Sequence, residues 1–153
     1  MSEQKGGNWV LKLAKRFQGE KVKFILIGVD DLSKRFDDNI IALGRVSNQI
    51  ELAEYYSLAD VFVICSKREN FPTTCLESLS CGTSVVGFDA GGIKETVPND
   101  YGIFVPYGNM VEIEKATREL IQKATNERVI VNSRYGAENY SKSIMIKKYL
   151  ELY

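Results

Sequence analysis

Two glutamates that lie eight positions apart, Glu69 and Glu77, are the residues of this sequence whose types and spacing most favour chemistry. Pro72 lies between them, and because proline lacks a backbone N–H and disfavours helical geometry in the preceding residue, the two glutamates cannot share one continuous helix. The pattern therefore predicts that Glu69 lies in a loop and that Glu77 lies one turn inside a helix. An ionised carboxylate only accepts hydrogen bonds, so such a pair suits a ligand that carries several hydroxyl groups.

Each glutamate also has a purely structural interpretation. Thr74 and Glu77 have the spacing of a capping box, in which Thr74 bonds forward along the helix and Glu77 reaches back. Glu69 could be a solvated acid of a loop. Spacing alone leaves both alternatives open.

Three short stretches around these glutamates could bind an anion. The amides of Thr73 and Thr74 open the predicted helix, and free amides at a helix N-terminus attract phosphate. Gly91 and Gly92 follow a predicted strand, where paired glycines can let a ligand approach and can form an anion-binding nest, although a plain loop is the alternative. Lys5 precedes the first helix and could reach a phosphate, although most lysines near a chain start are merely solvated.

The elements that must position these residues alternate between helix and strand periods. Short apolar runs predict strands over residues 22–27, 39–43, 61–65, 85–88 and 103–105. Helical periodicity predicts helices over residues 9–17, capped by Asn8, and over 50–58, 74–81, 111–121, 127–139 and about 142–153. The pattern predicts one α/β domain over residues 1–153, with a Rossmann-like parallel sheet and helices on both faces. Ligands bind such sheets outside the carboxyl ends of the strands, where both the glutamates and the glycine pair follow strands.

Composition excludes several classes of function. The chain has 153 residues, no histidine and a formal net charge of zero. Without histidine there is no Ser-His-Asp or Cys-His arrangement, and no metal-ligand cluster is evident. The balanced charge and the lack of a basic stripe argue against a nucleic-acid partner. The cysteines Cys65, Cys75 and Cys81 form no CxxC pair, so we expect reduced thiols and, with no signal peptide or apolar span, a cytoplasmic protein.

Residues 68–95 resemble the donor-binding signature of the family 4 retaining glycosyltransferases. That signature is a glutamate, seven residues, a second glutamate, a helix end of small residues, a CGTPVV-like strand and a GGxxE turn. The matching residues are Glu69, Glu77, Cys81-Gly82-Thr83, Val85-Val86 and Gly91-Gly92 through Glu95. Further matches along almost the whole chain are Lys5-Gly6, Phe24 to Gly28, Leu43-Gly44-Arg45-Val46, Ala59-Asp60-Val61 and the closing segment 140–153.

The resemblance implies a fold, a ligand and a role for each residue. In that family this half of the chain is the C-terminal, nucleotide-sugar-binding domain of a two-domain GT-B fold. Glu69 would be the catalytic candidate facing the donor sugar, Glu77 would accept from the ribose diol, Lys5 would neutralise phosphate and Val46 would lie near the base. Asn70, Phe71, Thr73, Thr74, Gly91 and Gly92 would form the rest of the donor site, around the diphosphate and the sugar. The resemblance implies no cofactor or metal beyond the nucleotide-diphosphate sugar, whose base, UDP or GDP type, stays open.

This sequence departs from the family pattern in two ways. The common Gly-Phe-Gly after the first glutamate is Asn70-Phe71-Pro72 here, which removes one amide from the expected phosphate contacts. We also expect that the chain lacks the family's first strand, which ends in Gly-Arg and lies centrally in the sheet, and the acceptor-binding N-terminal domain. We therefore expect a donor-binding fragment that is inactive alone, with sheet edges that a homo-oligomer could cover. Any peripheral membrane association would run through the missing domain.

Three other functions are alternatives to this expectation. The chain could be a non-catalytic nucleotide-binding or assembly module that partners a separate acceptor-domain chain. A GT-B-like nucleotide-sugar epimerase usually needs histidine, which is absent. A simple flavodoxin-like protein fits the periodicity, but the ordered set of motifs argues against it.

Overall fold

The computed structural model of the protein describes residues 3–151. These residues fold into five strands and seven α-helices in the order α1 (Gly7–Arg16), β1 (Phe24–Ile27), β2 (Ile40–Leu43), α2 (Gln49–Leu58), β3 (Val61–Ile64), α3 (Thr73–Ser80), β4 (Ser84–Phe88), α4 (Ile93–Thr96), β5 (Gly102–Val105), α5 (Met110–Gln122), α6 (Asn126–Tyr140) and α7 (Lys142–Leu150). The five predicted strands and the predicted α/β class are confirmed. The predicted last helix reaches into residues 152 and 153, which lie outside the described residues.

All strand pairs are parallel, but the strands form two separate sheets. One sheet has the order β1-β2 and the other has the order β3-β4-β5. β4 is the central strand of the second sheet, with Val85 beside Phe62 of β3 and beside Gly102 of β5. Within residues 3–151 no ladder joins β1 to β3.

Helix α1 connects the two sheets. Its N-terminus lies at the end of β3, where Gly6 approaches the carbonyl oxygen of Cys65. Its C-terminal part lies at the start of the other two strands, because Asn39 Nδ2 donates to the carbonyl of Ala14 over 2.7 Å and the Phe17 and Phe24 rings lie 5.6 Å apart. The strands of both sheets therefore run in the same direction, antiparallel to α1.

Helices cover both faces of the three-stranded sheet, because its strands are apolar on both sides. Helices α1 and α5 pack on one face, through a cluster that includes Leu13, Ala14, Phe17, Val86, Phe88, Ile113, Ala116 and Leu120. Helices α3, α4 and α6 pack on the other face, through Cys75, Leu79, Val85, Ile93, Val97 and Tyr135. All five residues of β4 are buried, so this strand forms the centre of the core.

The predicted start of α1 is wrong. The residue that caps the helix is Gly6 rather than Asn8, and Gly6 has a left-handed backbone with φ of 71°. A Cβ at this position would lie 1.9 Å from the carbonyl oxygen of Cys65, so only glycine permits the close approach. Asn8 consequently lies inside the first turn of the helix.

Candidate functional site

Backbone pairing beyond the ends of β3 and β4 positions Glu69. An isolated parallel bridge joins Glu69 to Gly91. The amide of Glu69 donates to the carbonyl of Ala90 over 3.3 Å, and the amide of Gly92 donates to the carbonyl of Glu69 over 2.8 Å. The predicted catalytic candidate and the predicted glycine turn are therefore in direct contact, and the bridge fixes the backbone from which the Glu69 side chain projects.

The fold requires glycine at both positions of the Gly91-Gly92 pair, for a reason that the sequence did not indicate. A Cβ at Gly91 would lie 2.2 Å from the carbonyl oxygen of Glu69, and Gly91 has a positive φ of 70°. A Cβ at Gly92 would lie 1.9 Å from the carbonyl oxygen of Asn70. Both glycines are thus required for the approach of the Glu69–Asn70 backbone. Because the Gly92 amide already has a carbonyl partner, the anion contact expected at this turn stays a prediction.

The Glu69 carboxylate is held by two neighbours. Lys5 Nζ donates to its Oε1 over 2.9 Å, and only 11% of the Glu69 side chain is exposed. Burial raises the pKa of Glu69, but hydrogen bonding by Ser66 and the ion pair with Lys5 outweigh burial and lower the pKa below its usual value. Glu69 is therefore ionised at neutral pH and able to accept hydrogen bonds from hydroxyl groups.

The N-terminal segment carries Lys5 to this site. Residues Glu3–Lys5 form one 3₁₀ turn, and the amide of Lys67 donates to the carbonyl of Gln4 over 3.0 Å. The close packing of Gly6 on Cys65 directs the segment along the loop that follows β3. Lys5 and Glu69, which are 64 positions apart in sequence, meet for this reason.

Helix α3 begins beside the same loop. Pro72 precedes its first residue and makes no side-chain cap, and both Thr73 and Thr74 are exposed. The first amides of a helix have no intrahelical acceptor, so the amides of Thr73 and Thr74 face outward from the helix end. Phe71 is 51% exposed and its ring lies 6.1 Å from the ring of Tyr140, whereas Asn70 is exposed beside the glycine turn.

Glu77 lies one turn into α3 and is held by a tyrosine of α2. Its Oε2 accepts a hydrogen bond from the hydroxyl of Tyr56 over 3.1 Å. The capping-box alternative is not realised, because α3 begins at Thr73 and Thr74 therefore lies inside the helix. A tyrosine on an otherwise apolar face of α2 was the available signal, since the polar tip of a half-buried tyrosine usually has a partner.

Val46 lies in the loop that follows the two-stranded sheet, three residues after β2 ends at Leu43. A cleft of about 500 Å³ opens beside it, lined by Gly28, Val29, Asp30, Leu32, Gly44 and Arg45. The cleft lies at the carboxyl ends of β1 and β2, the edge where the family resemblance places the base. Val46 itself does not line this cleft, so its role stays a prediction.

The described residues lack two kinds of feature. No cluster of three or more histidine, cysteine, aspartate or glutamate residues within this part of the chain could hold a metal ion. No helix there is long and apolar enough to cross a membrane. Cys65, Cys75 and Cys81 are free thiols, of which Cys65 and Cys75 are buried and Cys81 is partly exposed.

Comparisons with known proteins identify relatives for nearly the whole chain. A sequence model of the family described as glycosyl transferases group 1 matches residues 1–123. The N,N'-diacetylbacillosaminyl-diphospho-undecaprenol alpha-1,3-N-acetylgalactosaminyltransferase of Campylobacter jejuni is 27% identical over 140 residues, which are 88% of this chain and 37% of that protein.

Solved structures share the fold. A glycosyltransferase from Rickettsia africae has a TM-score of 0.82 at 19% identity, over 99% of this chain and 44% of that one. The sucrose-phosphate synthase from Thermosynechococcus elongatus has a TM-score of 0.78 at 22% identity, over 99% of this chain and 43% of that one. The chain thus spans less than half the length of each of these proteins. It belongs to the glycosyl transferases group 1 family, and the part that it spans has the fold of the GT-B glycosyltransferases.

Proposed function

We propose that the chain is the donor-binding part of a retaining glycosyltransferase of the cytoplasm, which holds a nucleotide-diphosphate sugar for transfer to a saccharide or lipid-linked acceptor. One observation carries the proposal. Lys5, Glu69 and the Gly91-Gly92 turn, which the sequence separates widely, meet at the carboxyl ends of β3 and β4. The N-terminus of α3 follows the same loop, so a cation, a carboxylate and outward-facing amides are available together.

The charges of this cluster suit a sugar diphosphate. Glu69 is ionised and accepts hydrogen bonds from sugar hydroxyls, and each bond to a charged group contributes roughly 1.5–3 kcal/mol. Lys5 and the amides of Thr73 and Thr74 stabilise the negative charge that develops on the departing diphosphate, which is electrostatic catalysis. In the free protein Lys5 pairs with Glu69, and the donor's phosphate competes for that cation.

The remaining contacts concern the nucleoside. Glu77 keeps acceptor capacity beside its bond from Tyr56, because an ionised carboxylate has about four lone-pair sites. We assign these sites to the two ribose hydroxyls. The cleft near Val46 is the candidate for the base, and its polar lining residues Asp30 and Arg45 could contact base edges.

The acceptor site is assigned to a part that this chain does not span. Its relatives are more than twice as long, and the sheet is divided between β1 and β3. We therefore propose that the isolated chain binds the donor without transferring it, and that an acceptor-binding domain, on the same or a separate chain, completes the enzyme.

Calorimetric titration tests the proposal. The purified chain is titrated with UDP, GDP, ADP and their hexose conjugates, and the same samples are assayed for sugar transfer. We expect binding of one nucleotide type and no transfer. Glu77→Ala should weaken that nucleotide and its conjugate roughly 10-fold or more, equivalent to about 1.4 kcal/mol.

Glu69→Gln separates the sugar contact from the nucleoside contact. This variant should weaken the sugar conjugate roughly 10-fold and leave the bare nucleotide within about 2-fold. Glu138→Ala, which removes an exposed glutamate of α6, is the matched control and should change neither. Absence of nucleotide binding by the folded chain, or equal affinities in all variants, would overturn the proposal.

A further inference from the structure

The hydroxyl of Tyr56 reaches across from α2 to the carboxylate of Glu77 on α3. The donor is Oη of Tyr56 and the acceptor is Oε2 of Glu77, at 3.1 Å. Tyr56 is partly buried whereas Glu77 is exposed. An exposed glutamate normally samples several rotamers, so a bond to a fixed partner restricts it.

Packing and hydrogen bonds fix Tyr56. Its ring makes an edge contact with the ring of Phe62 on β3, with centroids 5.5 Å apart. Its backbone carbonyl accepts a hydrogen bond from Thr83 Oγ1 over 2.5 Å, and the same hydroxyl lies 3.2 Å from the carbonyl oxygen of Ala59. Thr83 therefore ties the C-terminal end of α2 to the segment that enters β4.

The same threonine also fixes the C-terminal end of α3. The amide of Thr83 donates to the carbonyl of Ser78 over 3.0 Å, and Ser78 Oγ donates to the carbonyl of Thr83 over 3.0 Å. Tyr56 and Glu77 are thus held on two helices that share one anchor, which keeps the distance between them constant.

The hydrogen bond between Tyr56 and Glu77 has a fixed direction, with the phenol as donor. Burial raises the pKa of Tyr56, and the charge of Glu77 and the hydrogen bond to it raise the pKa further, so the phenol stays protonated and donates. The bond uses one of the roughly four lone-pair sites of the exposed Glu77 carboxylate, so Oε1 and the second lone pair of Oε2 stay available as acceptors. A carboxylate with one oxygen anchored and the other presented suits a vicinal diol.

We propose that Tyr56 is a positioning residue that orients Glu77 toward the ribose hydroxyls and so makes the site selective for ribonucleotides over 2'-deoxyribonucleotides. The inference rests on the proposed function and names the group that sets the selectivity of its nucleoside site.

The test compares Tyr56→Phe with Tyr55→Phe, which removes a hydroxyl from the neighbouring position of the same helix. Each variant is titrated calorimetrically with UDP, GDP and ADP and with the 2'-deoxy forms of the same nucleotides. Phenylalanine keeps the ring that packs on Phe62, so circular dichroism should show that Tyr56→Phe folds as the wild type does.

We expect Tyr56→Phe to bind the preferred ribonucleotide roughly 3- to 10-fold more weakly and its 2'-deoxy form less than about 2-fold more weakly. Tyr55→Phe should match the wild type for both. Unchanged affinities in Tyr56→Phe, or an equal loss for both nucleotides, would overturn the inference while the proposed function stands. If the folded wild type binds no nucleotide, the proposed function fails, and the inference fails with it.

Discussion

The two sheets of this protein use the same kind of parallel strand but are fixed to different extents. In the three-stranded sheet β4 has a partner on each edge and all five of its residues are buried. In the two-stranded sheet each strand has one partner, and β2 has no fully buried residue. Beyond its strand ends the three-stranded sheet is extended by the Glu69–Gly91 bridge. The candidate site residues other than Val46 therefore lie on, or pack against, the sheet whose backbone is the more firmly held.

The two-stranded sheet depends on α1 for its position. The Phe17–Phe24 ring contact and the hydrogen bond from Asn39 to Ala14 connect this sheet to the helix. No ladder of the described residues joins this sheet to β3. Contacts with α1 therefore take the place of strand pairing between the two sheets. The difference teaches that strand pairing fixes the backbone around Glu69 within the three-stranded sheet, whereas the sheet beside the candidate base cleft is joined to the rest of the fold through its contacts with α1.

The largest expected effect comes from adding one methyl group to the turn beside Glu69. Gly91→Ala places a Cβ 2.2 Å from the Glu69 carbonyl oxygen in a left-handed backbone. The left-handed conformation costs roughly 1–2 kcal/mol for alanine, and the forced contact adds about 1–3 kcal/mol. We expect Gly91→Ala to lower the free energy of unfolding by both amounts, as measured by urea denaturation followed by circular dichroism.

Gly28→Ala is the matched control in the two-stranded sheet. Gly28 follows β1, has a similarly positive φ of 81° and has no atom within 4 Å of its virtual Cβ. We expect this variant to lose only the roughly 1–2 kcal/mol of the conformation itself. Equal losses of unfolding free energy in Gly28→Ala and Gly91→Ala would mean that the close approach of Gly91 to Glu69 adds no constraint of its own. The proposed difference in rigidity between the two sheets would then be contradicted.

A smaller effect is expected in native-state hydrogen exchange. The hydrogen-bonded amides of β4 are buried and paired on both sides, so they should exchange only on global unfolding. Those of β1 and β2 should exchange roughly 10- to 100-fold faster, through local opening. Amide exchange followed by nuclear magnetic resonance measures both. Equal protection in the two sheets would show that α1 holds the two-stranded sheet as firmly as strand pairing holds the other.

Hydrophobic periodicity and the positions of glycine and proline predict the helices and strands well because these signals are local in the sequence. The apolar runs around Phe24, Ile40 and Val61 each gave a strand within two residues of its observed ends, and α3 begins and ends within one residue of its predicted bounds. The missed N-cap at Gly6 has a non-local cause. Nothing in the sequence shows that the chain before α1 packs on Cys65, 59 positions further along.

The same limit applies to the candidate site. Sequence spacing placed Glu69 in a loop and Glu77 one turn into a helix, and both placements are confirmed. The partners of these carboxylates, Lys5 and Tyr56, are 64 and 21 positions away, so their contacts depend on the tertiary fold. The resemblance supplied Lys5 as a phosphate ligand, but its ion pair with Glu69 and the role of Tyr56 required the structure.

The smallest expected effect concerns the ion pair that attaches the N-terminal segment to the three-stranded sheet. Lys5 is 71% exposed, so Lys5→Met should lower the free energy of unfolding by less than about 1 kcal/mol at pH 7. Because the pKa of Glu69 is lowered in the folded state, this stabilisation is complete above the usual carboxyl value of roughly 4.3 and disappears as the pH falls through the lowered pKa. The difference between wild type and variant should therefore shrink below about pH 4.3.

Carboxyl-carbon titration of Glu69 by nuclear magnetic resonance measures the cause directly, and Lys5→Met should move the pKa of Glu69 upward toward its usual value. Lys94→Met is the control, because it removes an exposed ion pair with Asp89 at the end of the neighbouring strand. This control should leave the titration of Glu69 unchanged. If Lys5→Met also leaves it unchanged, Ser66 alone holds the carboxylate in its ionised form. The role proposed for the N-terminal segment would then be limited to supplying a cation to the diphosphate, without fixing Glu69.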